Sequence, residues 1–186
     1  MLEVPRHRFL PGRSVAEAYG DHALPTTDGQ TISQPFVVAH MTQCLDVRPG
    51  MTVLEIGRGS GYQAAILAAM GARVTSIERH ETLARSARDR LAKIVPDYPI
   101  SIHVGDGSRG FLPSAPYDRI MVTAAAPSLP AHLDQQLASA GKLLIPLGSR
   151  SEQTLTLFEL FDDELRRRSD LPCRFVPLIG AAAWSR

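Results

Sequence analysis

The run Val53-Leu54-Glu55-Ile56-Gly57-Arg58-Gly59-Ser60-Gly61-Tyr62 decides how this chain is read. A short apolar stretch ends in glycines at alternate positions, and an alanine-rich helical pattern follows over residues 62–70. Glycine lets a backbone turn sharply and approach a ligand with no Cβ in the way. The helix that opens behind such a turn offers unpaired N–H groups to a polar or anionic group. The next apolar run ends at Glu78, 21 positions after Gly57. An open α/β sheet sets an acidic side chain there to hold a ribose hydroxyl pair. The expected ligand contains a nucleoside.

Spacing narrows the choice. The pattern is Gly-x-Gly-x-Gly, not the Gly-x-Gly-x-x-Gly that cradles a dinucleotide, and no Gly-Lys-Ser/Thr follows to hold a triphosphate. An acidic residue ahead of the loop, Glu55, suits S-adenosyl-L-methionine, whose ammonium and sulfonium groups are cationic. The expected cofactor-binding residues on this stretch are Glu55, Gly57, Gly59, Ser60 and Gly61, with Glu78 beyond them. A third apolar run ends in Gly105-Asp106-Gly107, which adds Asp106, as acceptor for an adenine amino group, and Gly107. The competing readings are a purely structural glycine turn and an ordinary turn aspartate.

The order of elements points to an α/β fold with a doubly wound, largely parallel sheet. Strands are expected at residues 52–56, 73–78, 100–104, 119–123 and 142–146, with helices at 62–70, 81–95 and 131–139. Residues 154–160 read as a further strand, the acidic-then-basic stretch around Arg166-Arg167-Arg168 as a solvated turn, and residues 174–178 as the partner strand of a closing antiparallel hairpin. Residues 35–45 form a predicted helix with Pro35 in its first turn and Ser33 or a neighbour as cap. Length supports one domain: a lobe at 1–50 packed over the carboxyl edge of the sheet, a cofactor core at 51–148 and a hairpin and tail at 149–186.

Composition excludes several classes. The formal charge of +1 gives no electrostatic case for nucleic acid or a membrane surface. No run reaches the roughly 18 apolar residues that span a bilayer, and the first residues lack a signal-peptide core. Two cysteines, Cys44 and Cys173, without metal-type spacing exclude a disulfide framework and make a reducing, cytoplasmic setting the expectation. His40 reads as a surface or core-edge histidine, and no metal is expected. With no repeated apolar face left over, a monomer is expected.

The chain resembles the protein-L-isoaspartate O-methyltransferase family along nearly its whole length. The matching segments include Val4-Pro5-Arg6-His7, Gly29-Gln30-Thr31-Ile32-Ser33-Gln34-Pro35, the glycine loop, Gly105-Asp106-Gly107 and Arg174-Phe175-Val176-Pro177-Leu178. The Gly-Gln-Thr-Ile-Ser-Gln-Pro segment is specific to it. The resemblance implies S-adenosylmethionine-dependent methylation of the free α-carboxyl of L-isoaspartyl residues, in proteins or peptides under repair. It assigns the active-site serine to Ser33 and the substrate side to Thr31, Ile32, Ser33, Gln34, Val176 and Pro177. The chemistry agrees, because an α-carboxyl with a pKa near 3.3–3.7 is already ionised at neutral pH and needs no general base. Ser33 has a competing role as helix cap. Two features depart from the family: Arg58 stands where a small Thr is usual, and only three residues precede Val4 where a further helical stretch is typical. A tailoring methyltransferase acting on an aspartate side chain of one dedicated peptide, and a non-catalytic cofactor-binding adaptor, are the alternative readings.

Overall fold

The apolar runs flanking the glycine loop assemble into one seven-stranded sheet. The computed structural model describes residues 1–26, 30–57 and 59–185. The chain begins with α1 (Val15–Tyr19), a short ladder of β1 (Leu24–Pro25) with β2 (Thr31–Ile32), and α2 (Pro35–Leu45). Then β3 (Thr52–Ile56), α3 (Tyr62–Ala69), β4 (Arg73–Glu78), α4 (Glu81–Ile94), β5 (Ile100–Val104) and β6 (Tyr117–Val122) alternate. Three strands close the chain: β7 (Leu137–Gly148), β8 (Gln153–Phe161) and β9 (Glu164–Cys173). The strand order is β5-β4-β3-β6-β7-β8-β9. The first five run parallel, and β8 and β9 are antiparallel.

Alternating side chains feed two cores. Leu54, Ile56, Ile120 and Val122 face one, while Val53, Met121 and Leu144 face the other. The second is closed by Met41 and Leu45 of α2 and Leu67 of α3. The first is covered by turns and extended chain carrying Leu133 and Leu178. The lobe at 1–50 packs mainly on the outer side of α3 and α4, where Val4, Phe9 and Leu24 meet Tyr62, Ile66 and Leu91. Only its later part reaches the strand tips expected of the whole lobe. Among the described residues no helix is long and apolar enough to cross a membrane.

Three expectations are corrected. Residues 131–139 are not a helix: they hold a short 3-10 turn, Asp134–Gln136, and the start of β7. Tertiary bonds override the local pattern. The fully buried Gln136 side chain accepts from Phe111 N–H (2.7 Å) and donates to the Arg109 carbonyl (2.8 Å), while Leu137 pairs with Tyr117. Residues 174–178 are not the hairpin partner, which is β9. The turn shrinks to Asp162 and Asp163, both with positive φ, as a two-residue hairpin turn requires. Arg166–Arg168 consequently lie on the edge strand, opposite Glu159, Phe158 and Leu157, where charge guards an open edge. Finally, of the two cap readings for α2 the neighbour holds and Ser33 does not: the cap is Gln34, with no side-chain bond. Asp21 accepts from Phe36 N–H and from the Gln34 amide, each at 2.9 Å, and does that work from a distance.

Candidate active site

The tips of β3, β4 and β6 converge on the glycine loop. Gly57, Gly59 and Gly61 have φ of +90°, +52° and +87°, which side chains with a Cβ rarely adopt. At Gly57 a Cβ would stand 3.0 Å from the Thr123 hydroxyl, and that hydroxyl holds the Gly57 carbonyl. At Gly59 it would stand 3.5 Å from the Thr31 carbonyl, so the segment with Ser33 crosses the loop at contact distance. At Gly61 it would face Leu91 and Ala87 of α4 (3.4 and 3.6 Å). Those are ordinary contacts, so its positive φ is what favours glycine at 61, and it lines none of the cavities at this edge. Ser60 accepts from Tyr62 N–H at 3.2 Å and opens α3. Arg58 and Gly29 lie outside the described residues.

Two cavities share Gln30, Gly57, Gly59, Val176 and Pro177 as walls. The smaller, about 340 Å³, contains Glu78 and Gly107. Glu78 is buried and accepts from His80 N–H at 3.0 Å. Gly107 packs so tightly on β3 that a Cβ would meet Ile56 Cγ2 at 2.5 Å. The larger, about 800 Å³, is lined by Thr31, Ile32, Ser33, Gln34, Ser60 and Thr123 on one flank. Residues 171–177, with Arg150, complete it. Its described lining contains no acidic side chain, and its charged members are Arg150 and Arg174. Cys173 also lines it, with burial pushing its thiol up to about 11, so the thiol stays protonated at neutral pH.

Two expected cofactor ligands are elsewhere. Glu55 has no solvent exposure, accepts from the Ser76 hydroxyl at 2.6 Å, and lines neither cavity. It points along the sheet because the register sets it directly beside Ser76 of β4. Asp106 is spent on the chain itself. It accepts from Ser108 N–H (3.0 Å), Ser108 Oγ (2.7 Å) and Ala181 N–H (2.8 Å), beside a separate cleft. Burial alone favours its neutral acid, but the bonds from Ala181 and Ser108 together hold the carboxyl below the usual aspartate range. The residues brought together are therefore Thr31–Gln34, Gly57, Gly59, Ser60, Glu78, Gly107, Val176 and Pro177.

Sequence reasoning missed Thr123, Gln30 and Arg150 as cavity residues, whereas Arg174 belongs to the segment 174–178 that the resemblance sets on the substrate side. Thr123 carried a usable signal, since it follows the last residue of β6, at the carboxyl end where such sheets bind ligands. Residues 174–178 reach the cavity because, released from the hairpin, they cross the sheet tips. There Ala125 N–H donates to the Val176 carbonyl (2.8 Å) and Leu178 N–H to the Ala125 carbonyl (2.7 Å).

Comparison with known proteins gives the lineage of this arrangement. A family profile described as protein-L-isoaspartate(D-aspartate) O-methyltransferase matches residues 1–183. A Methanopyrus kandleri protein-L-isoaspartate O-methyltransferase is 50% identical over 184 residues, covering 97% of this chain and 81% of the relative. One from Roseiflexus castenholzii is 48% identical over 185 residues, covering 100% and 84%. A solved protein-L-isoaspartate O-methyltransferase superposes with a TM-score of 0.90 at 29% identity, over 98% of this chain and 60% of that longer one. A Plasmodium falciparum chain assigned to the same class, solved with S-adenosyl-L-homocysteine, shares the fold (TM-score 0.84, 23% identity, 96% and 87% covered). With its sheet, glycine loop and full-length match, the chain belongs to the protein-L-isoaspartate(D-aspartate) O-methyltransferase family.

Proposed function

We propose that this protein transfers a methyl group from S-adenosyl-L-methionine to the free α-carboxyl of L-isoaspartyl residues in damaged proteins and peptides. The observation that carries the reading is the pair of cavities sharing Gly57 and Gly59, one holding the Glu78 carboxylate, the other bounded by Ser33, Arg150 and Arg174. The glycine-lined cavity suits the cofactor, because Gly57, Gly59 and Gly107 line it without a Cβ and a Cβ at Gly107 would collide with Ile56 in its wall. Gly57, Gly59 and Gly107 would hold the nucleoside, with Glu78 accepting from ribose hydroxyls. Bound there, the cofactor supplies an electrophilic methyl group on a sulfonium.

The protein's own task is positioning. The substrate carboxylate is ionised at neutral pH, so no side chain has to remove a proton. Ser33 donates a hydrogen bond to that carboxylate, while Arg150 and Arg174 favour its charge in a cavity whose described lining carries no acidic side chain. Thr31, Ile32, Gln34, Val176 and Pro177 flank the peptide. Alignment of this kind contributes on the order of 7–11 kcal/mol. A backbone amide nitrogen of the substrate then closes the ester to a succinimide with loss of methanol, and water reopens the ring partly to normal aspartate, which is repair.

The same reading makes residues 1–50, 51–148 and 149–186 one working unit and sets it in the cytoplasm as a monomer, without nucleic acid or membrane partners. The test is a paired-peptide assay. An isoaspartyl peptide should accept methyl groups and its aspartyl twin should not; methylation of the aspartyl twin, or of neither with cofactor bound, would overturn the assignment.

A further inference from the structure

Behind the wall of the larger cavity, and lining neither cavity of the site, three donors of different chemistry meet between α2 and the edge strand β9. His40 and Cys44 stand one helical turn apart on α2, a spacing that puts both on one face. Asp170 comes from β9, within the irregularity where three steps of β9 oppose two of β8 between Thr154 and Thr156. An extra residue of this kind redirects a side chain. The Asp170 carboxylate bonds His40 Nε2, Cys44 Sγ lies 3.5 Å from the same nitrogen, and Sγ is 3.4 Å from Asp170 Oδ2.

These three atoms lie within 4.8 Å of one another. In a nucleophile–base relay the thiol and the carboxylate would address opposite nitrogens of the imidazole. Here both address Nε2. Burial, with Asp170 adding to it, pushes the Cys44 thiol up to about 11, which also removes the nucleophile such a relay requires. With Nε2, Sγ and Oδ2 in mutual contact, all three donors are near enough to share one ion. For a tetrahedral zinc ion with bonds of roughly 2.0–2.3 Å, neighbouring donors sit roughly 3.3–3.6 Å apart. The two edges that involve sulfur already have that length. Only the His40–Asp170 contact has to open, by exchanging its hydrogen bond for two metal bonds.

We propose that the α2–β9 seam binds one zinc ion through His40 Nε2, Cys44 Sγ and Asp170 Oδ2, with water completing the tetrahedron. Binding displaces the thiol proton of Cys44 to solvent. The site is then electrically neutral, since one thiolate and one carboxylate balance the divalent ion and the imidazole stays uncharged. Side chains of His40 and Asp170 are about a quarter exposed (25% and 26%), which admits the ion and the water. Phe36 stacks on the His40 ring with centroids 5.6 Å apart and fixes its plane. The ion ties α2 to the strand whose Leu171, Pro172 and Cys173 wall the larger cavity.

The full chain, stripped with a chelator and dialysed, is titrated with cobalt(II) as an optical probe for zinc. A single equivalent should give tetrahedral visible bands and a near-ultraviolet thiolate-to-metal band, both displaced by zinc. Cys44→Ser should abolish the charge-transfer band, and Cys173→Ser should keep it. Asp170→Asn, on an exposed edge, should weaken cobalt more than the roughly 10–100-fold that losing a supporting hydrogen bond costs a metal site. Absence of the band in the wild-type chain, its survival in Cys44→Ser, or its loss in Cys173→Ser would each overturn the proposal. Should Cys44→Ser not fold by circular dichroism, the wild-type and Asp170→Asn titrations decide alone.

Discussion

Replacing Gly107 with alanine tests how tightly the cofactor floor is built. The added Cβ would stand 2.5 Å from Ile56 Cγ2, where carbon contacts settle at roughly 3.5–4.0 Å. One of the two must therefore move by about 1 Å or more. Ile56 has little freedom, being 1% exposed in β3, which pairs with β4 on one side and β6 on the other. Overpacking of this sort costs about 1–3 kcal/mol. For a chain of this size that lowers the thermal midpoint by roughly 2–4 °C per kcal/mol. If residue 107 recoils instead of Ile56, it moves into the 340 Å³ cavity beside Glu78, and cofactor affinity falls about tenfold for each 1.4 kcal/mol so transferred.

The control is Ile56→Leu, which removes the offending Cγ2 at nearly constant volume and should cost less than about 1.5 kcal/mol alone. Combined with Gly107→Ala it should give back stability, a favourable coupling of about 0.5–3 kcal/mol. Calorimetric titration with S-adenosyl-L-methionine and thermal unfolding of the four proteins measure both effects. Additive penalties, within about 0.5 kcal/mol, would refute the close-contact account of Gly107.

Ser33→Ala should lower kcat/KM for an isoaspartyl peptide about 10–100-fold, the worth of a hydrogen bond to a charged group, and leave cofactor affinity and thermal midpoint unchanged, because Ser33 caps nothing. A fall in midpoint with kcat/KM intact would refute this. Glu78→Gln should weaken cofactor binding by a similar factor in calorimetry, and unchanged affinity would remove Glu78 from the site. Acid should unfold the protein partly through Asp118, whose carboxyl is held below the usual aspartate range. Burial favours the neutral form, but bonds from Thr52 N–H (2.7 Å) and Thr52 Oγ1 (2.8 Å) outweigh it. The folded state binds that proton more weakly than the unfolded one, so this stability is fully present above the ordinary value near ~3.9 and is lost as pH falls through the lower folded value. Asp118→Asn should flatten the dependence of the urea midpoint on pH in that range; an identical slope in both proteins would count against it.

Much of this fold was legible because its signals are local. The helix at Pro35–Leu45 announced itself by a proline in its first turn and apolar positions at helical spacing, and it forms with those bounds. The strands at Thr52–Ile56, Arg73–Glu78 and Ile100–Val104 are short runs rich in β-branched and apolar residues, each preceded within two positions by glycine or proline, and each ends where it was read. In the same way counting from Gly57 put Glu78 at the tip of β4, since the length of a strand–helix–strand unit is itself local geometry.

What was not legible depends on partners far along the chain. Nothing near Gln136 says that its amide completes the turn at Arg109 and Phe111, yet those bonds turn a helical pattern into the start of a strand. Nothing near Asp106 reveals that the backbone at Ala181 takes one of its oxygens, 75 positions away. Glu55 reads as a loop-side carboxylate until the register of β3 on β4 sets it beside Ser76. The His40, Cys44 and Asp170 group illustrates the same limit, for its helical pair is visible in sequence and its third member lies 126 residues beyond Cys44. These cases share a cause. A polar side chain in an interior takes whichever partner the completed topology brings within reach, because leaving it unbonded costs about 1–3 kcal/mol. Periodicity foretells where backbone runs, and the strand order decides what its carboxylates and amides are used for.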